Sequence, residues 1–286
     1  MEQAFAYLTT SVPLCYMTKY ILRISVFALV LLFISCKSEY EKVRVSSNPE
    51  LILQKASEYY QDKQYQRAQT LFELVLSNLR GRPDAERVNF QYAYTHYYLK
   101  QYLLAAYYFK TFANTYTNSE FREEAAYMSA YSNYLQSPTY RLDQTPSFSA
   151  IDEFQLFVNL FPNSTRVEEC NRLIDELRRK LEEKAFAEGE LYFNLRQYQS
   201  AVISFDNLLK DYPESPDVER VRFLIAKSNY LLSRNSVLEK RLERYQETVK
   251  RSKEFLQKYG SGKYAKEVRD IIDNSEVAIS KLKQTN

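Results

Sequence analysis

The chain has no tryptophan, one histidine, three cysteines, four glycines and eight prolines among 286 residues. So little glycine argues against an all-β fold rich in tight turns, and against loops that cradle phosphate. The three cysteines, Cys15, Cys36 and Cys170, cannot form a disulfide framework. Cys170 lies among helical residues and reads as a small core hydrophobe. His96 has no Cys or His partner at metal-ligand spacing, so no zinc site is expected. Gly260 and Gly262 lack the strand-to-helix context of a nucleotide loop. The acid pairs Glu168–Glu169 and Glu182–Glu183 are adjacent in helical sequence and point to different sides of the helix. No nucleophile motif is present. The sequence therefore points to a binding protein, not an enzyme, with no cofactor. Its charge of +3 comes from interleaved Lys, Arg, Asp and Glu, which gives no reason to expect nucleic acid.

What is abundant is tyrosine, with 26 copies, and phenylalanine, with 17, in a chain that is 45% hydrophobic. Few breakers and many Ala, Leu, Glu, Lys and Gln favour helices.

The N-terminal region is distinct. Ile24 to Ile34 is a nearly unbroken apolar run of eleven residues, well short of the ~20 that span a bilayer. With Lys19 and Arg23 before it, the run fits the apolar segment of a secretory signal. It ends in Phe33-Ile34-Ser35-Cys36, which resembles a bacterial lipobox. In that motif the Cys is acylated and becomes the new N-terminus. Residues 1–16 carry no Lys or Arg, whereas Met17-Thr-Lys-Tyr-Ile-Leu-Arg makes an ordinary basic start. The expected organisation is a signal peptide over 1–35 with its true start at Met17, a lipidated tether over 36–48, and a repeat domain over 49–286. Cys36 is the expected acylation site and membrane anchor.

The body repeats. Ala68 with Phe72, Ala105 with Phe109, Ala150 with Phe154 and Ala201 with Phe205 each form an Ala-x-x-x-Phe pair. A small residue precedes the Ala by twelve positions in three of them (56 to 68, 93 to 105, 189 to 201). Ala130 and Ala226 extend the series. This is the logic of a helical hairpin. The small residue on helix A lets helix B approach, the Ala on helix B reciprocates, and the Phe one turn later fills the seam. The segments, clearest over Lys184–Pro213, resemble the tetratricopeptide repeat. The predicted fold is all-α: a tetratricopeptide-repeat superhelix of about five helix hairpins plus a C-terminal capping helix over Val268, Ile271, Ile272, Ala278, Ile279 and Leu282.

Three irregularities are expected. Residues 137–146 form a long loop inside the third repeat. A single long helix runs through 168–184 into the fourth. The fifth repeat is degenerate, with Thr248 in place of Ala and Ser252 in place of Phe.

Five such repeats behind a lipobox resemble the BamD family, lipoproteins of the β-barrel assembly machinery. The third repeat carries the closest match, with Ser137-Pro138, Leu142-Asp143-Gln144, Ala150-Ile151-Asp152-Glu153-Phe154 and the ending Phe161-Pro162-Asn163-Ser164. The resemblance implies an outer-membrane protein facing the periplasm. It also implies two partners, a BamA-type β-barrel insertase and the C-terminal segments of unfolded outer-membrane proteins. By the same resemblance the insertase would meet the C-terminal repeats.

Helix A of each repeat should line the concave face. Positions one and four after the small residue give Ser57, Tyr60, Tyr94, Tyr97, Tyr131, Tyr134, Lys227 and Tyr230, with Tyr98 beside them. The tyrosines Tyr60, Tyr94, Tyr97, Tyr98, Tyr131, Tyr134 and Tyr230 form a candidate platform for an extended, aromatic-ended peptide, since Tyr offers area and a hydrogen bond at little entropic cost. Arg172, Arg178, Arg179 and Lys180 read mainly as a solvated face with pairs such as Glu176–Lys180. The competing assignment is a repeat lipoprotein that scaffolds other envelope or peptidoglycan-associated machinery. A glycan-capturing lipoprotein is ranked last, for want of tryptophan and of large insertions.

Overall fold

The structure is a computed structural model that describes residues 39–285. Met17, the signal segment and Cys36 lie outside the described residues. No helix among the described residues is long and apolar enough to cross a membrane. The chain divides into two compact units, residues 1–99 and 100–286.

Among the described residues, the first unit contains four helices: α1 (Glu39–Arg44), α2 (Pro49–Gln61), α3 (Tyr65–Val75) and α4 (Ala85–Tyr98), with a 3-10 turn at Leu76–Leu79. Asn48 starts α2, because its side-chain oxygen accepts from the amides of Glu50 (3.0 Å) and Leu51 (3.2 Å) and Pro49 fixes the first turn. The α2–α3 hairpin is the first repeat. Ala56, Ala68 and Phe72 are wholly buried there, as the spacing predicts. Lys63 closes the tight turn between the two helices with a left-handed backbone, φ 60°. The amide of Gln64 donates back to the Tyr59 carbonyl at 2.8 Å. Lys100 and Arg196 take the same conformation in the second and fourth repeats, each before Gln-Tyr.

One expectation changes here. The polar segment 36–48 is not simply a tether, since residues 39–44 fold into α1 and dock on the first repeat. Val43 is buried. Glu39 pairs with Lys55 at 2.9 Å, and the Tyr40 ring meets Tyr59 edge-on with centroids 5.9 Å apart. The alternation of charge in this stretch hid a single apolar anchor.

The second unit contains α5 (Tyr102–Thr115), α6 (Arg122–Gln136), α7 (Thr145–Leu160), α8 (Val167–Asn194), α9 (Tyr198–Asp211), α10 (Val218–Arg234), α11 (Leu238–Tyr259) and α12 (Ala265–Thr285). Each helix packs on the next, and α10 also touches α12. The α6–α7, α8–α9 and α10–α11 hairpins are repeats three to five, and α12 is the cap. At the cap, Val268, Ile271 and Ile272 are buried, while Ala278, Ile279 and Leu282 are only half-covered. The predicted long helix is α8, with 28 residues. The helical repeat fold is therefore as the sequence predicts.

The loop of the third repeat is a folded structure. Ser137 and Ser147 share a hydrogen bond of 2.6 Å, and buried Gln144 donates to the carbonyls of Thr139 (2.8 Å) and Leu142 (3.1 Å). Two lysines of α8 secure it from outside: Lys180 donates to the Ser137 hydroxyl and Lys184 to the Leu142 carbonyl, both at 2.7 Å. The expected Glu176–Lys180 pair is thus replaced. Glu176 faces Arg172 instead, at 3.7 Å, because the loop offers Lys180 a closer oxygen.

Candidate partner-binding surface

The seven candidate tyrosines fall into three places. In the first unit, Tyr60, Tyr94, Tyr97 and Tyr98 belong to one aromatic cluster. Tyr98 stacks on Tyr65 with centroids 4.3 Å apart and on Tyr94 at 5.6 Å. Tyr97 meets both Tyr94 and Tyr98 edge-on. Tyr60 touches Tyr65 at 5.8 Å and the buried Phe72 at 6.3 Å. Tyr98 is 45% exposed and the others are half-buried. Their positions follow from the repeat. Tyr60 and Tyr98 end helix A of repeats one and two, and Tyr65 opens helix B of the first. Tyr65 was not among the candidates, although its place after Lys63-Gln64 recurs in Tyr102 and Tyr198.

In the second unit, Tyr131 and Tyr134 form a ladder along α6 together with Tyr127, which the counting also missed. The rings of Tyr127 and Tyr131 are 5.6 Å apart at 13°, and those of Tyr131 and Tyr134 are 5.7 Å apart at 21°. Residues 127, 131 and 134 repeat at the four-then-three step of one helix face. The neighbouring helix α8 fixes this ladder at both ends. Arg166 lies over the Tyr127 ring at 4.2 Å. The Tyr134 hydroxyl donates to Glu176 at 2.7 Å. Burial first, and then the hydrogen bond to the Glu176 carboxylate, push the Tyr134 phenol up to about 12. Burial and Glu169 raise Tyr127 in the same direction. Both phenols therefore stay neutral at physiological pH.

Tyr230 lies elsewhere. Its ring is 6.5 Å from Tyr245 of α11, and Arg234 stands over it at 5.7 Å. Lys227 pairs with Glu267 of the cap at 2.8 Å. Ser57 donates to the Leu53 carbonyl within its own helix.

A further feature was not legible in the sequence. A cavity of about 100 Å³ lies between α5, α6 and α7. Its lining includes Ala113, Phe157, Phe161 and the exposed Leu156 and Leu160. At its rim, Lys110 pairs with Glu153 at 2.9 Å, and Arg122 donates to the Ala113 carbonyl while standing over Phe161. It would admit an apolar side chain. Three helices make it, so no single helical pattern announces it.

The two other singular residues are structural. His96 is buried, with Gln69 Nε2 2.9 Å from Nδ1 and the Tyr92 ring edge-on at 4.8 Å. Cys170 is fully buried, and burial pushes its thiol up to about 11, so it is inert at neutral pH.

The family described as YfiO, outer membrane lipoprotein, matches residues 46–239 and, in a second stretch, 192–278. No curated protein matches the chain. Among solved structures, the nearly identical TPR-like repeats of a protein described as a kinesin light chain from Podosopora anserina are 14% identical. They cover 74% of this chain and 98% of that one, with a TM-score of 0.31. The apo form of RapI is 14% identical over 82% of this chain and 84% of that one, with a TM-score of 0.30. Superpositions this loose carry no argument about function.

Proposed function

Because the chain belongs to the YfiO family of outer membrane lipoproteins, we propose that it is a scaffold of the machinery that assembles β-barrels in the outer membrane. The observation that carries this reading is the extent of the family match, which runs through all the repeats from residue 46 to residue 278. In this reading Cys36 is acylated and anchors the protein, and the repeat domain faces the periplasm. A BamA-type insertase is its stable partner, and the C-terminal segments of unfolded outer-membrane proteins are its clients.

The tyrosine clusters suit such clients. A client's terminal strand is extended and rich in aromatic side chains by the needs of a barrel wall. Stacked Tyr rings would accept those side chains through ring contacts and hydrogen bonds, without demanding a charge pattern. The protein acts by binding and has no catalytic step.

Depletion is the direct test. Loss of many outer-membrane barrels at once is the expected result. Normal barrel levels with a division or shape defect would instead support a scaffold for peptidoglycan-associated machinery. Separately, Cys36→Ala should release the protein into the soluble periplasm. A variant that stays on membranes through a high-salt wash would show that acylation is not what holds it.

A further inference from the structure

We infer that α1 is a clamp that brings one end of the first unit, the end bearing the α2–α3 turn, against the headgroup layer of the anchoring membrane. The inference rests on acylation of Cys36, proposed above.

The length of free chain carries the first half of the argument. If residues 36–48 were a tether, the domain could stand ~40 Å from the lipid. Helix α1 removes most of that reach, because Val43 is buried and Glu39 is tied to Lys55 at its very start. Only Lys37 and Ser38 then separate Cys36 from Glu39, three residue steps that span at most ~11 Å. Whatever lies beside the start of α1 is held close to the bilayer.

The second half is what lies there. Helix α1 runs antiparallel to α2. Glu39 and Tyr40 sit beside Lys55 and Tyr59, near the end of α2, while Arg44 and Ser46 sit beside Ile52, Leu74 and Asn78. The start of α1 therefore shares an end with the α2–α3 turn. Arg67 joins them, with its guanidinium 5.5 Å from the centres of both the Tyr40 and Tyr59 rings. Exposed Lys63 holds its left-handed place in that turn, and the Tyr65–Tyr98 stack stands at the same end. Tyrosines mixed with Lys and Arg are the side chains that settle at a membrane–water interface. The ring sits at headgroup level, and the cation finds phosphate. The partner this end fits is a layer of phosphate-bearing lipid headgroups.

The test uses the full lipidated chain in vesicles of phosphatidylethanolamine and phosphatidylglycerol that contain a nickel-chelating lipid. A nitroxide is placed at Gln61→Cys, by the turn, or at Ser77→Cys, beyond the far end of α3, which is about 15 Å long. Both sites are exposed, and Cys170 is buried beyond the reach of the label. Relaxation by the headgroup nickel should be several-fold stronger at position 61. In the double variant Tyr40→Ala, Val43→Asp, the protein should stay on the vesicles while the difference between the two positions disappears. Equal relaxation at both positions in the parent chain, or stronger relaxation at 77, overturns the clamp. Mass spectrometry on the same sample distinguishes the deeper failure, because an unacylated chain would sink the lipoprotein reading and this inference with it.

Discussion

Repeats four and five share one plan and fill it with opposite chemistry. In repeat four the seam between α8 and α9 is apolar. Ala201, Phe205 and Leu208 are buried along one face of α9, and Gly189 of α8 lies flat beneath the Phe205 ring. In repeat five the matching positions of α11 are Thr248, Ser252 and Phe255, all buried. The ring has moved three residues along the helix. Phe255 still reaches the cluster that holds Phe205 and Val268. At the position of Ala201, repeat five has a hydroxyl instead, with Thr248 Oγ1 3.1 Å from Ser233 Oγ and donating to the Arg244 carbonyl at 2.9 Å. A tetratricopeptide seam thus needs filled volume, not one particular residue at each position.

This contrast can be broken from either side. The largest effect is expected at Phe205→Ala, which should cost about 3–5 kcal/mol by leaving a cavity in the seam, read as a lower urea midpoint. Gly189→Ala comes next. A Cβ there would stand 2.5 Å from Phe205 Cε1, so the ring must shift, at about 1–3 kcal/mol. In the fifth repeat Thr248→Val should cost about 1 kcal/mol, because Ser233 keeps its bond to the Asn229 carbonyl. Ser252→Ala should be neutral or slightly stabilising, since that hydroxyl is buried with no partner. A loss at Ser252 as large as that at Phe205 would contradict the view that only volume is required there.

The smallest effect concerns the tyrosine ladder. The Tyr134 phenol is raised in the folded protein above its usual 10, to about 12. A group raised on folding lends stability that is complete below its unfolded value and is lost as pH rises through the folded one. The ladder should therefore loosen only from pH 10 upward. Tyrosinate absorbance in the parent chain minus that in Tyr134→Phe should rise near pH 12, and a rise near pH 10 would show that neither burial nor Glu176 holds the phenol protonated.

The repeat was legible because helix period and repeat period are both local in sequence. The Ala and Phe of each pair, the small residue twelve before, the long α8 and the polar fifth repeat all follow from counting. The surface was less legible. Counting along helix A selected Tyr131 and Tyr134 but passed over Tyr127, which belongs to the same ladder and is named by neither of the two positions counted. It also placed Tyr230 with the others, although the α11 helix gives that ring a different neighbour in Tyr245. Contacts between helices decided both outcomes. The same holds for α1, whose one buried side chain, Val43, gives no periodic signal within six residues.

The most direct test of the central claim is co-purification from crosslinked envelopes, with partners identified by mass spectrometry. A large β-barrel protein with tandem periplasmic domains should be recovered as the main stoichiometric partner. Its absence, with cell-wall or glycan-uptake proteins enriched in its place, would contradict the assembly role while leaving the repeat fold intact.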